Sequence, residues 1–253
     1  MKSHILILLL CYVICITTAC KKEAAPTNIV NTSTTEQAQS SATGNFKFDA
    51  SLFVSGINNP YFPLLPGTVF HYVNAIDEHG EKSKEHETMT VTSGIKKILG
   101  VKCEVVHDVI KEDGELTEDT YDWYAQDTFG NVWYFGEYTK ELTDTGWSTE
   151  GSWEAGVDSA APGIIMFGMP ALFVGQTYYQ EFSPGVAEDQ ATLLSVTATA
   201  SVPYGNFTNC VKTKEFTALE PKDIEHKFYA PGVGQVLGVS KHETDKLISI
   251  TQH

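Results

Sequence analysis

Carboxylates gather near the aromatic segments in the middle of the chain. Asp122 and Asp127 lie in the segment 121–127, and Glu154 and Asp158 lie after it, beside a Trp. Carboxylate oxygens are the ligands that Ca²⁺ prefers, so these four residues predict a calcium site if the two segments converge in the fold. The alternative is a solvated acidic surface, because the spacing matches no EF-hand loop.

Four Trp residues offer flat apolar surfaces to a ligand or to the core. Trp123 and Trp133 lie in segments with the composition of strands, and aromatic residues at such positions usually fill the core. Two Trp and two Met residues lie instead in a segment without strand alternation. We expect these four residues to contact a small or apolar ligand: Trp147, Trp153, Met166 and Met169.

Residue patterns for nucleophilic or phosphate chemistry are missing from the sequence. It has no Ser in a G-x-S-x-G turn, no phosphate-binding loop of the Walker type and no His pair in an HExxH motif. We therefore predict no catalytic residues and no cofactor other than calcium. A protein that binds without catalysis is the favoured interpretation.

The amino terminus has the organisation of an export signal. Lys2 precedes the apolar run 5–16, which is too short to span a bilayer, and small residues lead to Cys20. This arrangement resembles the lipobox of bacterial lipoproteins, although Thr17 stands where Leu is commonest. The resemblance implies cleavage after residue 19, lipidation of Cys20 with fatty acids such as palmitate, and a lipid anchor in the cell envelope, with the outer membrane preferred.

Composition predicts a tether after the lipidated Cys and limits the partners. Residues 20–48 are rich in Ser, Thr, Ala and Gln, and such a segment buries too little apolar surface to fold alone. Loss of residues 1–19 removes one Lys and leaves 16 Lys and Arg against 32 Asp and Glu. That excess argues against nucleic acid, which is itself negative.

Residues 49–253 are predicted to form one domain built from two repeats. Five landmarks recur in the same order, with a shift of 108 residues from Gly67 to Gly175 and of 104 residues from Val132 to Val236. The repeats cover about residues 60–137 and 173–245, with an insertion at 138–172. Because the insertion is long and irregular, it is the leading candidate for a functional segment.

Each repeat has the composition of antiparallel strands. Segments rich in Val, Ile, Thr and aromatic residues alternate apolar with polar side chains, and Gly, Asp and Asn separate them. We predict an all-β fold with little helix, in which a duplicated β-meander forms an open barrel or a sandwich around one apolar interior.

Two thiols remain once the predicted signal and the lipidated Cys are set aside. Cys103 and Cys210 occupy equivalent positions in the two repeats, and a pseudo-twofold axis would bring them together if equivalent strands adjoin. The alternatives are a disulfide between the repeats and two separate buried thiols.

Three phrases resemble a family of uncharacterised bacterial secreted and lipid-anchored proteins: NPYFPLLPGTVFHYV, YDWYAQDTFGNVWYFGE and HKFYAPGVGQVLGV. The similarity covers about residues 57–240. The Pro-Gly opening and the Tyr-Ala-x-Gly-Val-Gly close also resemble, more distantly, the open β-barrels of lipoprotein carriers. These resemblances imply a barrel in the envelope and no particular catalytic residue.

The sequence thus favours a membrane-anchored envelope lipoprotein that binds a small or apolar ligand without catalysis. One alternative is a structural or assembly lipoprotein that binds another envelope protein. Another is a hydrolase that uses paired carboxylates across a groove.

Overall fold

The computed structural model describes residues 48–78 and 81–253. The predicted signal peptide, the lipidated Cys20 and the tether up to residue 47 lie outside the described residues. Within them, strands predominate and the helices are two short 3-10 segments, Ala50–Leu52 and Pro170–Phe173. The prediction of an all-β fold with little helix is confirmed. No helix in this part of the chain is long and apolar enough to cross a membrane.

The strands are numbered here in chain order. Their bounds in the described residues are β1 Phe53–Val54, β2 Ile57–Asn59, β3 Phe62–Leu64, β4 Thr68–Glu78, β5 Glu81–Ile98, β6 Val101–Glu112, β7 Glu115–Asp127, β8 Val132–Thr143, β9 Gly146–Ser148, β10 Trp153–Glu154, β11 Ala161–Met166, β12 Thr177–Tyr179, β13 Glu181–Phe182, β14 Asp189–Val202, β15 Gly205–Thr217, β16 Ile224–Ala230, β17 Gly234–Val239 and β18 Glu243–Gln252.

One antiparallel sheet curls into a nearly closed barrel. Its strand order is β12-β14-β15-β16-β17-β18-β4-β5-β6-β7-β8-β11-β13. The two ends of this path, β12 and β13, are separated in the chain by Gln180 alone, so the same short segment pairs with β14 on one side and with β11 on the other. Closure of this kind leaves few unpaired strand edges.

Alternation along the strands sorts side chains between the inside and the outside of the barrel. In β16, Glu225, Lys227 and Tyr229 line the interior. The two residues between them, His226 and Phe228, point to the opposite face, because successive side chains in a strand alternate. Part of the interior is therefore polar, which differs from the predicted single apolar interior.

Part of the apolar core lies on the outer face of the barrel, under the amino-terminal segment. The Phe53 ring lies 5.7 Å from that of Trp133 and 5.5 Å from that of Phe135, and Phe48 contacts both rings as well. Trp123 and Trp133 are both buried, so the prediction that they fill the core is confirmed. The wall of the barrel thus has apolar packing outside and polar groups inside along β7 and β8.

Two backbone contacts match between the predicted repeats. The N–H of Gly67 donates to the carbonyl of Val91 at 2.8 Å, and the N–H of Gly175 donates to the carbonyl of Leu193 at 2.7 Å. Both glycines have positive φ, 88° and 87°, where a side chain would be strained. These contacts agree with a duplication, which itself stays a prediction.

The predicted insertion at 138–172 is not the irregular segment that the sequence indicates. β8 continues to Thr143, and the short strands β9, β10 and β11 all pair with it. β11 belongs to the barrel wall, where a Cβ atom at Gly163 would collide with the backbone of Gln180. β9 and β10 have two or three residues, too few for alternation to be visible in the sequence, and β11 is buried along nearly its whole length and so does not alternate.

Candidate functional site

The barrel interior contains a cavity of about 460 Å³, which we call the acidic cavity. Among the described residues its lining has ten carboxyl groups and one amino group, that of Lys227. The acids come from strands on all sides of the barrel and from one loop: Glu87, Asp108, Asp122, Glu181, Asp189, Glu215, Asp223, Glu225, Glu243 and Asp245. Aromatic rings lie between them, including those of Phe62, Phe70, Tyr72, Tyr124, Tyr134 and Tyr229.

Lys227 forms ion pairs with two of these acids. Its Nζ lies 3.1 Å from Oε2 of Glu215 and 3.4 Å from Oε2 of Glu225. Burial by itself lowers the pKa of Lys227, but the charges of Glu215 and Glu225 more than offset this and hold it well above its ordinary value. The ammonium group therefore stays charged and compensates carboxylates on its own side of the cavity.

Glu215 also accepts hydrogen bonds from neutral groups. Its Oε1 accepts from the hydroxyl of Thr213 at 2.7 Å, from the hydroxyl of Tyr229 at 3.1 Å and from Nε2 of Gln180 at 3.3 Å. These three hydrogen bonds hold the Glu215 carboxyl group in place beside Lys227. This side of the cavity is internally satisfied.

Two pairs of acids in the cavity lie close enough to share a proton. The side chains of Glu87 and Asp108 are hydrogen-bonded, and burial raises the pKa of Glu87 well above its ordinary value and that of Asp108 to about 6. Glu181 and Asp189 form a second pair, in which burial and then Asp189 raise the pKa of Glu181. Two carboxylates in contact cannot both ionise without strong repulsion.

Asp122 and Tyr134 form a third polar contact, on β7 and β8. The Tyr134 hydroxyl donates to Oδ1 of Asp122 at 2.6 Å, and the ring of Tyr134 stacks on that of Tyr124 at 4.7 Å. Burial raises the pKa of Asp122 well above its ordinary value, and the charge of nearby Glu137 adds to this. This carboxyl is therefore also held toward its neutral form.

Asp245 and Asn74 lie opposite each other on β18 and β4. Oδ2 of Asp245 accepts from Nε2 of Gln235 at 3.0 Å. Burial raises the pKa of Asp245 to about 7. Oδ1 of Asp245 and Oδ1 of Asn74 are buried, and neither accepts a hydrogen bond from the described residues.

The calcium site predicted from the sequence is not assembled. Of its four residues, Asp122 faces the cavity, whereas Asp127 caps a turn by accepting from the backbone N–H groups of residues 129 and 131 and from Nε1 of Trp133. Glu154 pairs with Lys96 at 2.7 Å, and Asp158 is exposed. Across the described ranges, no three His, Cys, Asp or Glu side chains form a group able to hold a metal ion.

The four residues predicted to contact a ligand do not gather at the acidic cavity, and ligand contact by them stays a prediction. Trp153 is buried, and its Nε1 donates to Oε2 of Glu181 at 2.9 Å. It therefore holds an acid of the cavity in place without lining the cavity itself. Met166 belongs to the core, and Trp147 and Met169 are exposed. The lining of the acidic cavity includes none of these four residues.

The disulfide considered between the repeats does not form in this structure. Cys103 and Cys210 are both free and buried. Cys103 lies on β6 and Cys210 lies on β15. Five strands lie between these two along the sheet: β16, β17, β18, β4 and β5. Equivalent strands do not adjoin in the barrel, which is why the two thiols lie apart.

Most acids of the cavity were missed in the sequence, although a signal was present. In β16 the residues Glu225, Lys227 and Tyr229 recur at every second position, and β18 begins with Glu243 and Asp245 spaced in the same way. Period-two recurrence of charged residues usually indicates the solvent face of a strand. Only the closure of the barrel turns that face inward.

Comparisons with known proteins add little about function. No protein-family model and no curated protein matches this sequence. A protein from Bacteroides fragilis, described as exported and with a YmcC-like fold, is similar at a TM-score of 0.45 and 12% identity, over 77% of this chain and 100% of that one.

Two other solved structures give lower scores. A protein from Parabacteroides distasonis, described as a lipoprotein, is similar at a TM-score of 0.41 and 12% identity, over 76% of this chain and 98% of that one. A β-barrel-like protein of a domain of unknown function from Brucella abortus gives 0.36 and 9%, over 75% of this chain and 98% of that one. The barrel described above therefore follows from the strand pairing of this chain itself, and the resemblance of its three phrases to a particular family stays a prediction.

Proposed function

We propose that this chain is a lipid-anchored protein of the bacterial cell envelope whose barrel binds a small organic cation without catalysis. The site is the acidic cavity, and the anchor is the lipid on Cys20. The tether that composition predicts between Cys20 and the barrel gives the barrel room to meet its ligand away from the membrane.

The charge imbalance of the acidic cavity is the observation that supports this function. Ten carboxyl groups face one ammonium group among the described lining residues. Ionised carboxylates repel one another strongly where water is partly excluded, so they either hold protons or need a positive partner. A ligand with an ammonium group is such a positive partner, and its N–H groups also donate hydrogen bonds to the carboxylates.

Other classes of ligand fit the same cavity less well. An apolar molecule would leave the carboxyl groups desolvated and unpaired, which is unfavourable. A bare divalent ion needs several oxygen ligands within 2.3–2.6 Å of one point, and no described group of three acids provides them. An amine attached to a short carbon chain matches both the acids and the aromatic rings between them.

A thermal-shift series tests this function. At about pH 8, above the pKa values of about 6 and about 7 to which burial raises Asp108 and Asp245, millimolar n-butylamine is expected to raise the Tm by several degrees, whereas n-butanol and butyrate leave it unchanged. Calcium chloride is the metal probe, and we expect it to have no effect beyond that of its ionic strength.

Matched variants locate the binding. Ile165 lines the cavity, and Ile95 is 53% exposed on the barrel surface. Ile165→Trp should abolish the response to butylamine because the larger side chain fills the cavity, while Ile95→Trp should retain it. An equal response of both variants would place the amine elsewhere, and no response of the wild type to any amine would contradict the function.

The anchor is tested separately by Cys20→Ser. The variant cannot be acylated, so we expect it to leave the membrane fraction of the expressing cells and appear in the soluble envelope fraction. Equal membrane retention of variant and wild type, in the presence of mild salt to remove ionic contacts, would contradict lipid anchoring.

A hydrolase is the second candidate, favoured by the paired acids. A carboxyl with a raised pKa is suited to donate a proton, and an ionised partner is suited to attack or to activate water. Burial raises the pKa of Glu181, which suits it to the donor role, and Asp189 is hydrogen-bonded to it; both line the cavity. Nitrophenyl glycosides and esters test this candidate. If the wild type releases nitrophenol and Glu181→Gln does not, the protein is a hydrolase and not a binding protein without catalysis.

A further inference from the structure

Three oxygens at the acidic cavity are buried and accept no hydrogen bond within the described part of the chain. They are Oδ1 of Asn74, Oδ1 of Asp108 and Oδ1 of Asp245, and all three residues line the cavity. Asn74 is 5% exposed and Asp245 is 7% exposed. A buried acceptor without a donor destabilises the protein, so all three oxygens favour a ligand with N–H groups.

Each of these side chains is held in place by its other polar atom. Gln235 donates to Oδ2 of Asp245, and Asn74 is hydrogen-bonded to Glu85. Asp108 is hydrogen-bonded to Glu87. The free oxygens are therefore fixed by neighbours on the barrel wall and are ordered before any ligand arrives.

The strand register places the free oxygens at two separate positions. Asn74 and Asp245 are direct partners on β4 and β18, so their side chains are neighbours. Asp108 lies on β6 opposite Met89, and Met89 lies opposite Phe70 of β4. The Cα atoms of Asp108 and Asn74 are thus two strands and four residues apart along the wall, which is roughly 16 Å.

A single ammonium group is too small to serve both positions, because its hydrogen bonds reach only about 3 Å. Two ammonium groups joined by several carbon atoms reach both. The side chains between the two positions include Tyr72 and Met89, which offer an aromatic and an aliphatic surface to such a carbon chain. Among the described residues Lys227 forms its ion pairs with Glu215 and Glu225, and none with Asp245 or Asp108.

We propose that the pairs Asn74–Asp245 and Glu87–Asp108 are two ammonium subsites for one linear diamine. This rests on the proposed function and specifies its ligand class. A primary ammonium has three N–H donors, so one group donates to both oxygens of the first pair. The second group donates to Asp108, and the proton that Asp108 shares with Glu87 passes to solvent.

Calorimetric titration with matched amines tests the two subsites. Diaminohexane is expected to bind at least ~10-fold more tightly than n-hexylamine, because its second ammonium binds as part of the same molecule. Asp245→Asn and Asp108→Asn keep the shape of the side chain and remove its charge. Each should lower the affinity for diaminohexane to about that of n-hexylamine for the wild type.

Asp144→Asn is the control, since Asp144 is exposed in the turn between β8 and β9. It should bind diaminohexane like the wild type, and a thermal melt of each variant verifies that it is folded. Equal affinity of the monoamine and the diamine, or full diamine affinity in both cavity variants, overturns the two subsites but leaves amine binding in place. Absence of any amine binding contradicts the proposed function itself.

Discussion

Lys227→Met is expected to lower the free energy of unfolding by about 3 kcal/mol at about pH 8. The side chain of Lys227 is 28% exposed, and its partners Glu215 and Glu225 are 11% and 32% exposed. Met preserves the volume but leaves two poorly solvated carboxylates without a counter-ion. Breaking a buried ion pair by removing one partner destabilises strongly, because the other charge is left uncompensated.

The effect of Lys227→Met should shrink at about pH 5, since burial raises the pKa of Glu225 and this acid, once unpaired, takes up a proton more readily at the lower pH. Urea denaturation of variant and wild type at the two pH values measures this difference. Lys82→Met is the matched control, because Lys82 and Asp77 form an exposed pair at 3.6 Å that contributes at most about 1 kcal/mol. Equal losses for the two variants would show that the internal ion pair has no special role.

The protein without ligand should be most stable in mildly acidic solution. Burial raises the pKa of Asp108 to about 6 and those of Asp245 and Glu137 to about 7. In the unfolded chain these acids ionise near pH 4. Between about pH 4 and pH 7 the folded state therefore binds more protons, and the free energy of unfolding falls as the pH rises.

We expect this loss to be about 3 kcal/mol from pH 5 to pH 8, or a decrease in Tm of about 10 °C. Melting curves across that range measure it directly. Asp245→Asn removes one of the responsible groups, so its Tm at pH 8 should exceed that of the wild type and its pH profile should be flatter. Asp144→Asn should follow the wild type. A Tm that rises steadily from pH 5 to pH 8 would contradict the assignment of neutral acids to the cavity.

The fold could be predicted from the sequence because local patterns determine it. Alternation and turn residues identify the long strands around Tyr72, Val106 and Tyr124, and the structure places them in one antiparallel sheet. Trp123 and Trp133 were correctly assigned to the core for the same reason. These features depend on neighbours within a strand or a hairpin, which a single sequence records.

The site could not be predicted because it depends on closure of the barrel. Asp108 on β6 and Glu181 on β13 are four strands apart along the sheet, and the curl of the sheet brings both to one cavity. The carboxylates chosen from sequence proximity, Glu154 and Asp158, lie outside it. Clustering along the chain indicated the wrong acids, since neighbours in sequence alternate between the two faces of a strand.

Native mass spectrometry of the purified mature protein with diaminobutane most directly tests whether the barrel interior binds an organic cation. The account predicts a complex of one protein with one amine in the wild type and in Ile95→Trp, and none in Ile165→Trp. A complex that persists in Ile165→Trp, or a wild type that stays free of amine, would contradict it.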